Sequence, residues 1–495
     1  MKNFVASVYF DPNSITRRSL TSDQVQRELG VQVSNTTIIF GPGDDRFDEA
    51  TSRWTGFSKP DIKVVVEPGR ESDVATIVKY CNANSIDFLA INGGHGLSES
   101  LSTFEGIQIS MRQLTDIKIQ PGAASAWFGG GTLVGSVVRY LWDEGFVTTT
   151  GGCECVGMLG AGLGGGHGPQ EGLYGMISDN ILQLNVVLAD GSFTRVNSRS
   201  HSDLLWALKG AGHNFAIVTA YEMKIYPRGP DTWHYHNYIW RGHQLETVFT
   251  AMNRFHNNGS TPVEMAFNMG NFFMNDQIST EEPVISWTFA YRGGAEEAEK
   301  LLAPFNAIEA ESEEMGDVPY YMLASVQGNS WESPICQHGK MHSTGTAGLQ
   351  VYNVTAERII YDDFKRRVTQ DPVLAATANI IHEGYATAGV TAVDPASSAY
   401  PFRADHHLML FYASAAPDDI ARQEAAWAWA AEVRGQWNAG QPNRTSNAYV
   451  NYAAGFESLE ERYGHERWRI QRLRRLKAKY DPANLFRYYN PIVVG

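Results

Sequence analysis

Several features are scarce in this 495-residue sequence, and each scarcity excludes a class of protein. Only four cysteines are present, Cys81, Cys153, Cys155 and Cys336, which are too few for a fold built on disulfides. No apolar run approaches the roughly 18 residues of a transmembrane helix, so we expect no membrane partner. Basic residues are also fewer than acidic ones: the formal net charge is −14, which argues against a nucleic acid partner.

The bulk composition is that of a globular protein, with 43% hydrophobic and 19% charged residues. A chain of this length exceeds one ordinary hydrophobic core, so we expect two domains. The N-terminal segment MKNFVASVYFDPNSITRRS lacks the apolar core of a signal peptide, and we therefore predict a cytoplasmic location. Cys153 and Cys155 lack the CxxC spacing of zinc sites, and we predict no metal site.

Residues 148–180 form an unusually glycine-rich stretch. Apolar residues such as Val156 and Leu159 lie between the glycines, which is not typical of a flexible linker. Such a concentration of glycine indicates backbone lying close to a flat or phosphorylated group. Residues 160–165 match the dinucleotide pattern GxGxxG, with Asp179 as the acidic partner. However, the following sequence GGGHGP cannot start a helix, so we interpret this match as accidental.

A β-α-β unit precedes this stretch. The β-branched run at residues 62–66 predicts a strand, Ser72 and Asp73 can cap a helix, and residues 86–91 predict a second strand. That strand runs directly into NGGHG at residues 92–96, a turn whose amides could bind an anion. On local chemistry alone, the favoured interpretation is that His95 bonds only to its own loop.

The composition changes after Pro230, where aromatic residues become frequent. Predicted strands at residues 284–291 and 408–413 alternate with predicted helices at residues 295–302 and 418–437, which indicates an antiparallel sheet covered by helices. The aromatic residues fit a flat or carbohydrate substrate, although packing alone would use them equally well. Near the C-terminus, the basic run at residues 467–479 has apolar residues at helical spacing and predicts a helix.

Three motifs together resemble the berberine-bridge-enzyme-like oxidases of the vanillyl-alcohol-oxidase superfamily, particularly the fungal members. The first is NGGH at residues 92–95. The second is CECVG at residues 153–157, followed six residues later by the GGG of residues 164–166. The third comprises YVNY at residues 449–452 and KYDPANLF at residues 479–486. Glu154 and Asn490 depart from the family, which commonly has proline and glutamine there.

This resemblance implies an α+β protein with the two-domain vanillyl-alcohol-oxidase (PCMH-type) fold. In that fold a discontinuous FAD-binding domain accompanies a substrate domain, which is an antiparallel sheet covered by helices. The expected boundaries are 1–228 and 450–495 for the FAD-binding domain and 229–449 for the substrate-binding domain.

The resemblance also implies FAD joined covalently through His95 and Cys153, with Cys155 left as a buried, inert thiol. Glycines and other residues around these two would lie along the cofactor. The cofactor-binding set implied in this way is Asn92, Gly93, Gly94, His95, Gly96, Cys153, Val156, Gly157, Gly160, Gly165, Gly166, Ile217, Val218, Tyr449 and Asn451.

The implied reaction is removal of a hydride from a substrate carbon by FAD while a base removes a proton. The family's catalytic tyrosine falls on Tyr452, which would need a nearby positive charge or strong hydrogen bonds to act as a phenolate. The alternative is a tyrosine that only packs against the flavin. Three other candidates for this base lie upstream of Tyr452: Asp394, Tyr400 and His406. Val156 stands where family oxidases carry valine, which implies O2 as electron acceptor and H2O2 as product.

The substrate expected from the resemblance is a bulky secondary metabolite, such as a phenolic polyketide or an alkaloid. An oligosaccharide oxidase acting at the anomeric carbon is the alternative within the same chemistry. Two other classes also remain open: a flavin-binding protein without turnover, and a nicotinamide-dependent reductase.

Overall fold

A computed structural model describes residues 20–493 of the chain. Residues 1–19, on which the signal-peptide prediction rests, lie outside the described residues. The strands are β1 Ile38–Phe40, β2 Asp61–Glu67, β3 Asp87–Ile91, β4 Glu105–Ser110, β5 Ile117–Ile119, β6 Ser125–Gly129, β7 Phe146–Val147, β8 Ile181–Val187, β9 Phe193–Asn197, β10 Ile217–Lys224, β11 Tyr226–Pro227, β12 Trp233–Trp240, β13 Met265–Asn275, β14 Ser279–Tyr291, β15 Ser312–Val318, β16 Met341–Leu349, β17 Asn379–Tyr385 and β18 His407–Ala415.

Seventeen α-helices accompany these strands in the described part of the chain. They are α1 Ser22–Glu28, α2 Phe47–Thr51, α3 Glu71–Ala83, α4 Val134–Asp143, α5 Met158–Leu163, α6 Glu171–Tyr174, α7 Ile177–Asn180, α8 Ser202–Ala211, α9 Leu245–His256, α10 Ala295–Asn306, α11 Leu323–Val326, α12 Val354–Val368, α13 Pro372–Thr377, α14 Ala388–Thr391, α15 Ile420–Ala439, α16 Leu459–Tyr463 and α17 Arg467–Tyr480. None of the helices between residues 20 and 493 combines the length and apolar character needed to cross a bilayer.

The first sheet has the order β1-β2-β4-β3, with β2, β4 and β3 parallel. The predicted β-α-β unit is confirmed as β2, α3 and β3. Parallel strands are covered on both faces, which explains the continuous apolar run in β2. The predicted helix cap is wrong, because α3 begins after Arg70 without a side-chain cap. The carboxylate of Asp73 instead accepts hydrogen bonds from the backbone and hydroxyl of Ser34, at 3.1 and 2.5 Å.

The second sheet is antiparallel, with the order β5-β6-β10-β8-β9. The predicted turn between β8 and β9 is confirmed, with Gly191 at φ 78°. Helix α17 confirms the prediction made from the basic run, because Ile470, Leu473 and Leu476 are buried against this region. Of the arginines between them, Arg474 and Arg475 are exposed and Arg472 lies over the ring of Trp206.

The third sheet has seven antiparallel strands in the order β15-β12-β14-β13-β17-β18-β16. Helices α9, α10, α12 and α15 cover one face with a core rich in aromatic side chains. Side chains alternate between the two faces along each strand. On β17, His382 therefore bonds to Glu357 of α12, whereas Glu383 and Tyr385 lie on the opposite face, towards the glycine-rich stretch.

The predicted α+β class is confirmed, with one sheet mixed and the larger ones antiparallel. The first two sheets are complete by Lys224, and the third begins at Trp233. The domain boundaries at residues 229 and 450 stay a prediction, although α17 packs back onto the second sheet as a discontinuous first domain would require.

Candidate active site

A cavity of about 390 Å³ lies where the glycine-rich stretch meets the uncovered face of the third sheet. Most of the residues singled out from the sequence line it. These are Asn92, Gly93, Gly94, His95, Gly96, Cys153, Val156, Gly157, Gly160, Ile217, Val218, Tyr449, Asn451 and Tyr452. Motifs far apart in the sequence are thus brought to one site.

Gly165 and Gly166 do not line the cavity. Both have positive φ, at 111° and 85°. A Cβ on Gly165 would lie 2.6 Å from Met176, and one on Gly166 would lie 2.6 Å from Ile177. These two glycines therefore allow the chain to turn behind the cavity wall, which corrects their predicted place along the cofactor.

The turn at residues 92–96 is held against the glycine-rich stretch. Asn92 donates from its side-chain amide to the carbonyls of Gly130 and Thr132, at 3.0 and 2.9 Å. A Cβ on Gly93 would lie 2.9 Å from both the carbonyl oxygen of Cys155 and the amide nitrogen of Gly157. Because those contacts are with backbone, only glycine allows this close approach of the two segments.

His95 is half-buried between aromatic neighbours, with the rings of Trp54 and His338 centred 5.8 and 5.9 Å away. Its Nε2 has no hydrogen-bond partner among the described residues. Burial, aided by the nearby cationic groups, lowers the pKa of His95 to about 3. The imidazole is therefore neutral at pH 7 and retains the lone pair that a nucleophilic nitrogen requires.

Arg53 is a lining residue that sequence reasoning missed. It is buried, and its Nη1 has no partner among the described residues. Burial lowers its pKa to about 10, so the guanidinium keeps its charge at neutral pH. A buried cation without a paired anion is costly, and it fits a site that receives a negatively charged group. Nothing in the local sequence distinguishes this arginine from others.

The expectation that Cys155 is an inert thiol is wrong. Cys155 forms a disulfide with Cys336, 181 residues away in the sequence. Cys153 remains a free thiol, and its Sγ lies 3.5 Å from that of Cys155 and 3.7 Å from that of Cys336. Burial raises the pKa of Cys153 to about 11. The partner of Cys155 could not be found from spacing, because the pairing depends on the tertiary fold.

The disulfide is one of several bonds that hold residues 329–339 across the cavity, and we call this segment the strap. The indole nitrogen of Trp54 donates to the carbonyl of Ile335 at 2.7 Å. Glu154, which departs from the family pattern, accepts a hydrogen bond from the Trp331 amide at 3.0 Å. The Glu154 carboxylate thus helps to hold the strap against the glycine-rich stretch.

The YVNY motif is hydrogen-bonded to the glycine-rich stretch through Asn451. Its side-chain amide donates to the carbonyl of Ala161 at 2.9 Å and to the hydroxyl of Tyr449 at 2.7 Å. A Cβ on Gly164 would lie 2.0 Å from the Asn451 side chain. Asn490 in turn donates to the carbonyl of Val450 at 3.0 Å, so the C-terminal residue that departs from the family supports this motif.

Tyr452 donates its hydroxyl proton to Glu383 at 2.6 Å, and Tyr385 donates to the other carboxylate oxygen at 3.2 Å. Glu383 is buried, and burial raises its pKa above the ordinary value despite these two hydrogen bonds. The pKa of Tyr452 is raised well above 10 by burial and by the charge of Glu383. A free-standing phenolate is therefore disfavoured, and the basic group of this pair is the Glu383 carboxylate, which no sequence motif marked.

Of the further candidates, only Tyr400 joins a buried polar network. Its hydroxyl lies 2.7 Å from Nε2 of His167, whose Nδ1 is 2.9 Å from Glu171. Burial opposes protonation of His167, but the charge of Glu171 raises its pKa overall. Asp394 caps a short turn by accepting from Ala396, and His406 is bonded to the carbonyl of Gln350, so neither lies at the cavity.

This set of groups fits a dinucleotide cofactor with a flat ring system. Glycine backbone lines the cavity. A Cβ added at Gly160 would have no protein atom within 4 Å, so there is open space beside this glycine. Arg53 offers an unpaired charge for a phosphate, while His95 and Cys153 offer two nucleophilic atoms. The site therefore has the features of a flavin enzyme.

Comparison with known proteins agrees with this class. Residues 62–197 match the family described as FAD binding domain, and residues 448–493 match the one described as berberine and berberine-like. Over 99% of its length the chain is 49% identical to FAD-linked oxidoreductase OXR2 of Pyricularia oryzae, covering 96% of that protein. It is also 49% identical to FAD-linked oxidoreductase iacH of Pestalotiopsis fici, covering 98% of this chain and 94% of that one.

Among solved structures, the fold is similar to that of glucooligosaccharide oxidase from Acremonium strictum. The TM-score is 0.79 at 18% identity, over 95% of this chain and 100% of the other. The chain belongs to the berberine-bridge-enzyme-like family of FAD-linked oxidoreductases. The predicted family, fold and enzyme class are thereby confirmed.

Proposed function

We propose that this protein is a FAD-dependent oxidase that takes a hydride from a bulky, largely apolar small molecule and transfers the electrons to O2, giving H2O2. The observation that carries this proposal is the hydrogen-bonded pair of half-buried Tyr452 and buried Glu383, which lies on the same cavity as His95 and Cys153. A general base and the groups that would hold the cofactor thus share one site.

FAD, when bound, supplies the hydride acceptor and the route to O2. The chain's own residues supply the proton transfer. Tyr452 takes the proton from the substrate's hydroxyl or amine as its own proton passes to Glu383 across the 2.6 Å hydrogen bond. Tyr385 stabilises the carboxylate that accepts it, through its bond to the second oxygen.

Covalent attachment through His95 and Cys153 is part of the same proposal. Neutral His95 lines the cavity together with Cys153, which is the one cysteine of its cluster that the disulfide leaves free. The glucooligosaccharide oxidase of Acremonium strictum carries a 6-S-cysteinyl, 8α-N1-histidyl FAD, which supports two attachments on this fold. Arg53 and the amides of residues 92–96 would face the phosphates.

The substrate class is inferred from the sheet side of the cavity. Met269, Ile381 and Leu410 line it beside Glu383. An oligosaccharide would need hydrogen-bonding groups there, because its hydroxyls would otherwise lose their bonds with water. Apolar walls therefore favour a phenolic or alkaloid-like secondary metabolite, and Val156 keeps the lining small where O2 would approach.

The cytoplasmic location stays a prediction, and one observation bears on it. Disulfides persist mainly in oxidising compartments, and Cys155–Cys336 is such a bond. Fractionation of the source cells, with marker proteins for the reducing and the oxidising compartments, shows directly in which compartment the protein is found.

The test of the proposed reaction is anaerobic mixing of the flavin-loaded protein with a panel of phenolics, alkaloids and cello- and chito-oligosaccharides. We expect an apolar compound to bleach the flavin absorbance and to yield H2O2 when air is admitted. Bleaching by oligosaccharides alone would assign the alternative substrate class. If NADPH bleaches the flavin and no organic substrate does, the oxidase proposal is wrong.

A further inference from the structure

A second cluster of ligating side chains lies away from the cavity, on the helix-covered face of the third sheet. His234 and His236 are two apart on β12, so both point to the same face, and Glu299 of α10 lies over them. A single oxygen of Glu299 is 2.8 Å from Nε2 of His234 and 2.9 Å from Nδ1 of His236. Both histidines are at most 3% exposed.

Strand register places this cluster on the face opposite Glu383. His236 pairs with Phe289, which pairs with Asn268 and then with Gly384. Directly paired residues of antiparallel strands share a face. Glu383 is one residue from Gly384 and therefore lies on the other face, so the cluster takes no part in the chemistry proposed above.

Two of the three groups also have a hydrogen-bonded outer partner. The Nδ1 of His234 is 2.8 Å from Asp317, whereas the Nε2 of His236 has no hydrogen-bond partner among the described residues and lies 3.5 Å from Glu313. The second oxygen of Glu299 accepts from the side-chain amide of Asn306 at 2.8 Å. Metal-binding histidines characteristically donate their other ring N–H to a carboxylate, which fixes the ring and its tautomer.

The charge balance is unusual. Among the ion pairs of residues 20–493, Glu299, Glu313 and Asp317 are paired only with these two histidines. No lysine or arginine within that range neutralises them. A dication held between the two imidazoles and Glu299 would balance part of this negative charge.

We propose that His234, His236 and Glu299 bind a divalent transition-metal ion, with Zn²⁺ the first choice. Their ligand atoms all lie within 4.8 Å of one another. Tetrahedral Zn²⁺ with ligands at about 2.0–2.1 Å needs separations only slightly wider than the present hydrogen bonds. Glu299 is 26% exposed, which gives the ion a path from solvent and leaves room for a water as fourth ligand.

The function of this site is structural: it ties β12 to α10, and through Asp317 and Glu313 to the edge strand β15. No metal site was predicted from the sequence, because a His-x-His step is uninformative until Glu299 is brought over it by the fold.

The test uses the untagged, flavin-loaded full chain, stripped with a chelator and then dialysed against micromolar ZnCl2 without reductant. Elemental analysis is expected to find one Zn²⁺ per chain, and Zn²⁺ is expected to raise the melting temperature. The double variant His234→Gln/His236→Gln should bind none and show no shift. His465→Gln, on an exposed histidine outside the cluster, is the matched control and should bind as wild type does.

Two milder variants keep the test valid if the double variant does not fold. Asp317→Asn, on a half-exposed side chain, should weaken Zn²⁺ binding about 10–100-fold while leaving the flavin spectrum unchanged. Glu299→Gln should weaken Zn²⁺ binding at least as much as Asp317→Asn does. The proposal is overturned if the wild-type protein takes up no Zn²⁺, or if these variants bind it as tightly as wild type.

Discussion

The two walls of the active-site cavity are built in different ways. The glycine-rich wall comes from short contiguous segments whose backbones approach each other closely, as at Gly93 against Cys155 and Gly157. The sheet wall comes from single side chains on β13, β17 and β18, which share a face only because the strands pair in one register. The first wall would hold the cofactor, and the second would select the substrate and carry the base.

This difference predicts where substitutions act. Changes at packed positions of the glycine-rich wall, such as Gly93, should alter flavin retention and folding together, since backbone packing and cofactor contact involve the same atoms there. Changes on the sheet wall should alter catalysis with the fold and the flavin intact, because side chains there project from a sheet whose other face is separately packed.

The largest effect is expected for Glu383→Gln. Without a carboxylate, Tyr452 has no acceptor for its proton, and kcat/KM should fall about 10²–10⁴-fold while flavin content is unchanged. Steady-state H2O2 release measures this. Glu357→Gln is the control, because Glu357 is equally buried but bonded to His382 on the far face of β17. Wild-type turnover in Glu383→Gln would remove the proposed base.

The second prediction concerns pH. Burial raises the pKa of Glu383 above its ordinary value of 4.5, and the group must be ionised to accept a proton. As the pH falls through that raised pKa, kcat/KM should decline by about tenfold per unit. The low-pH limb should therefore lie above 4.5, and it should vanish from the residual activity of Glu383→Gln. A wild-type profile that is flat down to about pH 4 contradicts the assignment.

The third prediction concerns the Cys155–Cys336 disulfide, which joins the glycine-rich wall to the strap. Cys155→Ser/Cys336→Ser releases the strap from the glycine-rich wall, and the free energy of unfolding should fall by about 2–4 kcal/mol. Denaturant titration under non-reducing conditions measures it. Cys153→Ser, compared in the flavin-free proteins, is the matched control, because it removes a neighbouring sulfur without breaking the bond. Equal stability of the double variant and wild type would show that the strap does not depend on the disulfide.

The fourth and smallest effect compares two glycines of the first wall. Gly93→Ala places a Cβ 2.9 Å from backbone atoms, which should cost about 1–3 kcal/mol of stability even without flavin. Gly160→Ala meets no protein atom within 4 Å and lies in α5, so it should leave the flavin-free protein at least as stable while lowering flavin uptake. Thermal melts with and without added FAD distinguish the two variants.

The glycine-rich wall could be predicted from the sequence because its signals are local. NGGH and CECVG carry their spacing in adjacent residues, and the strands and helices around them follow from apolar periodicity. Gly165 and Gly166 show the limit of that approach, because spacing cannot tell which glycines face the cavity and which turn behind it.

Glu383, Arg53 and Cys336 could not be predicted, since each acquires its role through contacts across the fold. Glu383 is 69 residues from Tyr452, and Cys336 is 181 residues from Cys155. Which face a strand residue occupies depends on a register that a one-residue shift would reverse. Tyr452 lines the cavity, but its predicted role as the base stays a prediction, and the sequence did not mark Glu383, to which its hydroxyl is bonded.

The central claim is that both walls enclose one covalently held FAD. Acid precipitation of the purified protein, followed by mass analysis of its peptides, tests it most directly. We predict a coloured pellet in which the flavin mass is found on the peptides of both His95 and Cys153. Colour remaining entirely in the supernatant, with both peptides unmodified, would contradict the claim.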